Sequence, residues 1–166
     1  GEKFLEYIGG YFEPNWSVNP RWRADYTAFP EHDVTRGVKP FATQDEWYYH
    51  MRFRPGMDGV TPILTALPPK ETLSRGDGPH SGNPAVRAAI AKNEPQHLMW
   101  VASRTGNAGR GFGCTGSHFH KNWGDDNYRK LLLNACAWIA QADIPAEGVP
   151  SPTLTPEQLA ANLDPK

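Results

Sequence analysis

The alternation of apolar and polar side chains predicts strands in five parts of the chain, and it is clearest in residues 46–53. There the odd-numbered positions are aromatic or apolar, whereas the even-numbered positions carry an acid, a phenol, an imidazole and a guanidinium. The other predicted strands are residues 24–29, 60–67, 97–103 and 111–115.

Apolar positions at helical spacing predict two well-capped helices. The longer one spans residues 125–141, with an acid at its N-terminus, either Asp125 or Asp126. The other starts at Asn83, a favourable N-cap residue, and has Pro84 in its first turn, where proline is tolerated.

Three weaker helical segments are predicted at loop boundaries. Residues 1–8 are followed by a Gly-Gly stop signal, and Asp33 is in position to cap a single helical turn. Residues 155–163 begin with a capping box formed by Thr155 and Gln158.

The element order of strand, strand, helix, strand, strand, helix is typical of an α/β layer fold. We therefore expect one α/β domain over residues 1–145, followed by an extended tail over residues 146–166 with one weak helix. Because the chain opens inside a helix, we expect that strands N-terminal to it are missing from the sheet. A missing sheet edge leaves strand groups unpaired, so self-association into a homo-oligomer is also predicted.

Composition narrows the classes of partner. Seventeen basic and eighteen acidic residues are mixed without blocks, which argues against a nucleic-acid footprint or a membrane-binding basic patch. No apolar stretch is long enough to cross a bilayer and there is no signal peptide, so we expect a soluble protein, either cytoplasmic or exported. Two cysteines do not make a disulfide framework, and Cys136 is expected to be buried in its helix.

The loop between residue 115 and the long helix carries an H-x-H pair, His118 and His120. Residues i and i+2 of an extended backbone point the same way, so both imidazoles are candidate ligands for one divalent metal, zinc or similar, if a third ligand joins them. The alternative is that both histidines bond to backbone while Asp125 and Asp126 only cap the helix. Both interpretations stay open.

The polar face of residues 46–53 is a second candidate site. It belongs either to the exposed side of an edge strand or to a polar pocket. In a pocket, Glu46 is a natural general base or metal ligand, and Arg52 suits an anionic or polyhydroxylated substrate. The candidate catalytic residues are Glu46, His50 and His118. The candidate substrate-binding residues are Tyr48, Arg52 and Trp123, although core packing is the commoner fate of a tryptophan.

Cys114 is not expected to be a nucleophile. It lacks the Gly-x-Cys-x-Gly frame of a nucleophile turn, and the residues around it are typical of a strand interior. The glycine-rich stretch from residue 105 to 110 joins two predicted strands and opens no helix, so a phosphate-binding loop is not expected either.

Several separated blocks resemble the ThuA-like (trehalose-utilisation) family. Residues 33–41, DVTRGVKPF, and 45–53, DEWYYHMRF, are similar to its signature His-Pro-Ile-Thr-x-Gly followed by Asp-Glu-x-Tyr, except that Asp33 replaces the proline. Residues 109–113, GRGFG, and 116–120, GSHFH, resemble its strand and Gly-His loop. Trp100 and the closing LNACAW of residues 133–138 also fit.

The resemblance implies a flavodoxin-like, class I glutamine amidotransferase-like three-layer sheet without the amidotransferase nucleophile. It also implies that the N-terminal βα units are lacking here, and that the protein serves disaccharide or keto-sugar metabolism. Matched by motif, the site residues are Glu46, Tyr48, His50, His118 and His120, with both blocks at one rim of the sheet. Two hypotheses follow: a metal-assisted hydrolase, lyase or isomerase acting on a small carbohydrate, or a non-catalytic carbohydrate-binding or accessory module.

Overall fold

The computed structural model describes residues 1–104, 106, 109–161 and 163. All strand pairs within these residues are antiparallel. The strands are β1 (Gly10–Tyr11), β2 (Trp22–Tyr26), β3 (Phe41–Asp45), β4 (Arg52–Phe53), β5 (Val60–Ala66), β6 (Gln96–Ser103) and β7 (Arg110–Cys114). The largest sheet has three strands in the order β5-β6-β7, and two further sheets pair β2 with β3 and β1 with β4.

The central strand β6 is a near-continuous apolar run because both of its faces are covered. It pairs with β7 through Met99 opposite Cys114 and Trp100 opposite Gly113. On its other side it pairs with β5, where the register shifts around Leu64. Strand β2 shows the alternation of a one-sided strand: its first, third and fifth residues are buried and the two between are exposed.

Four α-helices are present in the described residues: α1 (Glu2–Ile8), α2 (Pro84–Ala91), α3 (Asp126–Ile139) and α4 (Pro156–Ala160). Their caps confirm the sequence signals. Asn83 accepts from the backbone N–H of Val86, and Asp125 accepts from two N–H groups in the first turn of α3. The Thr155 capping box forms as predicted, and Gly9 ends α1 in the left-handed conformation.

The core is unusually aromatic and lies between α3 and the sheets. Trp47, Tyr49 and Tyr128 are fully buried, and the ring of Trp47 meets that of Tyr128 edge-on at 5.9 Å between centroids. Aliphatic residues of β5, β6 and α3 complete this cluster. The packing places the C-terminal ends of β3 and β7 next to each other.

Three local predictions are wrong. Residues 46–53 do not form one strand: β3 ends at Asp45, Tyr49 makes only an isolated bridge to Val18, and the chain turns at His50, whose φ is +56°, before β4 begins at Arg52. Cys136 is exposed, since it lies on the outer face of α3. The turn at Asp33–Thr35 is capped by the His32 ring, whose Nδ1 accepts from Val34 N–H, and not by Asp33.

The mixed α/β class predicted from the sequence is confirmed, whereas the flavodoxin-like arrangement, the domain boundary at residue 145 and the homo-oligomer stay predictions. None of the described helices is long and apolar enough to cross a membrane. Part of the predicted glycine-rich turn (residues 105, 107 and 108) and part of the tail (162 and 164–166) lie outside the described residues.

Candidate functional site

A carboxylate–imidazole pair forms where β3 and β7 end. Glu46 follows the last residue of β3, and His118 lies in the loop after β7. The Nδ1 atom of His118 is 2.9 Å from Oε2 of Glu46. The other carboxylate oxygen of Glu46 accepts from the side-chain amide of Asn19 at 3.0 Å. The Glu46 side chain is 13% exposed and that of His118 is 45% exposed, so the imidazole is the more accessible partner.

Asp45 holds the two chain segments of this pair together. Its carboxylate is fully buried and accepts from the backbone N–H groups of Ser117, His118 and Phe119 at 2.9 to 3.2 Å. It also accepts from the backbone N–H of Glu46 and from the side-chain amide of Asn122, at 2.7 and 2.8 Å. The loop that carries His118 is therefore tied directly to the end of β3.

A cleft of about 730 Å³ lies beside the pair, between α1 and the outer side of β7, and His118 is part of its lining. Ring side chains supply much of its wall, while Ser117 and His118 supply polar groups. The aromatic residues that line it are Phe4, Tyr11, Phe12, Tyr48, Trp100 and Phe112. A cleft of this size with a few polar groups is typical of small-molecule sites.

Two glycines allow the chain to pass close to aromatic rings at the cleft. A Cβ atom on Gly113 would come within 2.2 Å of the Trp100 ring, and one on Gly116 within 2.4 Å of the Trp47 ring. Only glycine fits these positions without displacing the rings. The path of the loop that leads to His118 thus depends on Gly116.

The buried groups behind the loop are held in their neutral forms. The Ser117 hydroxyl bonds to the Tyr128 hydroxyl at 2.6 Å, and the Cys114 sulfur is 3.7 Å from the same hydroxyl. Burial raises the pKa of the Cys114 thiol to about 11 and raises the pKa of Tyr128 far above its ordinary value. Cys114 is therefore a protonated thiol at neutral pH, opposite in character to an activated nucleophile.

The two histidines of the H-x-H pair have different partners. His118 contacts Glu46, whereas Nε2 of His120 is 2.7 Å from the backbone carbonyl oxygen of Leu159 in α4. Within residues 1–104, 106, 109–161 and 163, no group of three or more His, Cys, Asp or Glu side chains is placed to hold a metal ion. The divalent metal stays a prediction.

The other half of the predicted polar face lies in a different cluster, around Trp16. The His50 ring stacks on Trp16 at 4.3 Å between centroids, and its Nδ1 is 3.0 Å from the Trp16 carbonyl oxygen. The Arg52 guanidinium lies 3.5 Å from the centre of the same indole and pairs with Glu13. Burial lowers the pKa of His50, with Arg52 adding to the effect.

Of the remaining candidates, Tyr48 faces the cleft and Trp123 packs elsewhere. The Tyr48 ring meets Phe12 edge-on at 5.6 Å, and burial raises the pKa of its phenol. Trp123 is partly buried against the core, with its ring 6.4 Å from that of Tyr128, and it is not part of the cleft lining. The structure thus brings Glu46, Tyr48 and His118 to one region and places His50 and Arg52 on Trp16.

Sequence reasoning missed three polar residues that shape the site: Asn19, Asp45 and Ser117. For Asp45 a signal existed, because an acid at the inward-facing end of a strand is rare unless its carboxylate is bonded. Asn19 and Ser117 carry no local signal, since only the tertiary fold brings them to Glu46 and Tyr128.

No family model, curated protein or solved structure matches this chain.

Proposed function

We propose that this chain is a ThuA-like protein of carbohydrate metabolism, with a flavodoxin-like sheet, that acts on a disaccharide or keto-sugar. In this proposal His118 transfers the proton and Glu46 orients its imidazole. The observation that carries the proposal is the 2.9 Å contact between these two side chains at the edge of an aromatic cleft. The resemblance of the DEWY and GSHFH blocks to the family signature supplies the carbohydrate class.

The geometry suits general acid–base chemistry. A neutral imidazole that donates from Nδ1 to a carboxylate has its second nitrogen, Nε2, as a proton acceptor. The carboxylate stabilises the imidazolium that forms when His118 takes a proton from a sugar hydroxyl or from the carbon next to a keto group. Such a positioned base contributes typically a factor of about 10² to 10⁴ in rate.

The cleft suits a small carbohydrate. Sugar rings have apolar C–H faces that pack against aromatic side chains, and their hydroxyls need a few polar partners. Tyr48 and Phe12 contribute rings, while Ser117 and His118 contribute polar groups. The cavity contains no lysine or arginine in its lining among the described residues, which favours an uncharged ligand.

The second candidate is a carbohydrate-binding module without turnover. It is favoured by the same aromatic lining, because ring stacking alone is sufficient for binding and His118 is the single histidine, lysine or arginine of the described lining. The two candidates therefore share a ligand and differ in whether a bond changes.

The test is to incubate the protein with a panel of neutral disaccharides and their keto derivatives and to follow each by NMR. We expect turnover that His118→Ala reduces by about 10²- to 10⁴-fold and Glu46→Gln reduces to a smaller extent. His97→Gln is the matched control, since the His97 imidazole bonds to Thr65 at 2.9 Å and to neither member of the pair.

Saturable binding without turnover identifies the binding module in place of the enzyme. If the protein neither binds nor converts any sugar of the panel, both candidates are contradicted.

The metal is tested separately, by elemental analysis after dialysis of the wild type and of the double variant His118→Ala/His120→Ala. About one equivalent of metal that the double variant loses supports the metal-assisted enzyme. Equal metal content in both proteins contradicts a metal site at these histidines.

A further inference from the structure

We propose that Asp45 is a positioning residue that sets the contact between Glu46 and His118; the inference rests on the proposed function of that pair. Asp45 is itself fully buried, so it does not touch a ligand. Its carboxylate is the common acceptor for both segments that carry the pair.

The five hydrogen bonds to Asp45 divide between its two oxygens. Oδ1 accepts from the backbone N–H groups of Glu46, His118 and Phe119, while Oδ2 accepts from Ser117 N–H and the Asn122 amide. A carboxylate offers about four lone-pair directions and no donor, so it suits a site where every neighbour donates. A neutral amide of the same shape places its own N–H hydrogens against some of these donors.

The loop needs this anchor because its backbone is strained. Ser117 has a φ of 74°, a conformation that residues other than glycine adopt only when their surroundings impose it. Its own N–H and those of the two following residues all point to Asp45. Loss of the carboxylate frees Ser117 to relax, and His118, the next residue, moves with it.

Asp45 also makes hydrogen bonds at the end of β3, where Glu46 lies. Glu46 donates its backbone N–H to the Asp45 side chain, and Asn122 joins Asp45 to the carbonyl oxygen of Gln44 at 2.9 Å. The carboxylate therefore sets where β3 ends as well as where the His118 loop begins. Both sides of the 2.9 Å contact depend on one buried group.

The experiment is ¹⁵N NMR of the His118 ring in the wild type and in Asp45→Asn, at a fixed pH where the ring is neutral, with EDTA present. In the wild type we expect the Nδ1–H tautomer, because Nδ1 faces the Glu46 carboxylate. In Asp45→Asn we expect this tautomer to be lost in favour of Nε2–H, the form that a free imidazole prefers. Glu46→Ala is the reference for a broken pair, because it removes the acceptor that faces Nδ1.

Asp125→Asn is the matched control. Asp125 also accepts backbone N–H bonds from one chain segment, but its carboxylate caps α3 through Asn127 and Tyr128 and bonds to none of residues 117–119. We expect it to change stability little, because asparagine is as good an N-cap as aspartate, and to leave the His118 tautomer unchanged. A folded Asp45→Asn protein that keeps the wild-type tautomer overturns the proposal, as does an equal tautomer shift in Asp125→Asn.

If Asp45→Asn does not fold, Asn122→Ala decides the question, because it removes one of the five donors and leaves the carboxylate in place. A partial shift toward Nε2–H supports the proposal, and an unchanged tautomer contradicts it. The NMR experiment requires no substrate. A result against the positioning role of Asp45 is therefore distinguishable from a result against the proposed function. A shifted tautomer with no activity on any sugar contradicts the function and leaves the positioning role intact.

Discussion

Two halves of one short segment behave differently in this protein. Glu46, at the start of residues 46–53, meets His118 through a carboxylate–imidazole contact at the cleft. His50 and Arg52, near its end, stack on Trp16 and pair with Glu13. The first half joins segments 72 residues apart in the chain, whereas the second half contacts a loop 34 to 39 residues earlier.

The difference shows that polar residues at alternating positions of one segment need not belong to the same site. An uninterrupted strand would place all four polar side chains on one face. Instead β3 ends at Asp45, Tyr49 makes an isolated bridge to Val18, and the positive φ of His50 turns the chain before β4 begins. Trp47 and Tyr49, which alternate with these polar residues, are fully buried in the core.

The largest effect is expected from Asp45→Ala, which should lower the free energy of unfolding by about 3 to 5 kcal/mol. The substitution removes the acceptor of the buried Asn122 amide and of four part-buried backbone N–H groups, and a buried donor costs roughly 1 to 3 kcal/mol when unsatisfied. Urea unfolding followed by tryptophan fluorescence measures the change.

Asp125→Ala calibrates this measurement, because an N-cap substitution typically costs about 1 kcal/mol. If the two variants are equally destabilised, Asp45 is an ordinary cap and not the anchor of the Glu46–His118 region.

A smaller loss, about 1 kcal/mol, is expected from Arg52→Ala in the second region. Both Arg52 and Glu13 are more than a third exposed, so water screens their ion pair and the contact with Trp16 supplies most of the effect. Arg52→Lys tests this assignment: it keeps the charge but loses the planar guanidinium, so most of the stability loss should remain. A shift of the His118 tautomer in Arg52→Ala would show that the two regions are coupled, contrary to our separation of them.

The smallest effect is a change in pH dependence caused by His50→Asn. Burial lowers the pKa of His50 below the ordinary value of 6.5, so the neutral ring stabilises the fold above pH 6.5 and that contribution is lost as the pH falls toward the lowered pKa. We expect the wild type to lose stability between pH 6.5 and 5.5 and the variant to lose less, by at most about 1.4 kcal/mol per pH unit.

Asparagine is chosen because it tolerates the positive φ at this position. His32 and His97, whose pKa values are also lowered by burial, remain in the variant and keep part of the slope. Identical slopes for the variant and the wild type would mean that His50 is not buried as a neutral ring.

Local signals predicted much of the secondary structure. Asn83, Asp125 and the Thr155 capping box each act within three residues of their own position, so their roles follow from short-range hydrogen bonding. Strands β5, β6 and β7 were predicted to within a residue or two for a similar reason, since alternation and apolar runs are local properties. Residues 46–53 failed because packing overrode a regular pattern.

The candidate site was predicted only in part. Glu46 and His118 were identified by residue type, but their contact joins the ends of two strands that are not neighbours in sequence. The sequence grouped His118 with His120 as metal ligands, and the family resemblance placed Glu46 at the same rim of the sheet; the structure gives His120 a different partner in α4. Residue type indicated the chemistry, whereas the pairing required the fold.

The sequence by itself determined the mixed α/β class, the capped helices and the residue types available for proton transfer, because each depends on local spacing or composition. Only the tertiary structure decided that Asp45 is buried among five donors, that Glu46 contacts His118, and that His50 and Arg52 contact Trp16. The physical reason is that a buried carboxylate needs partners from distant segments, and packing of the aromatic core determines which segments meet.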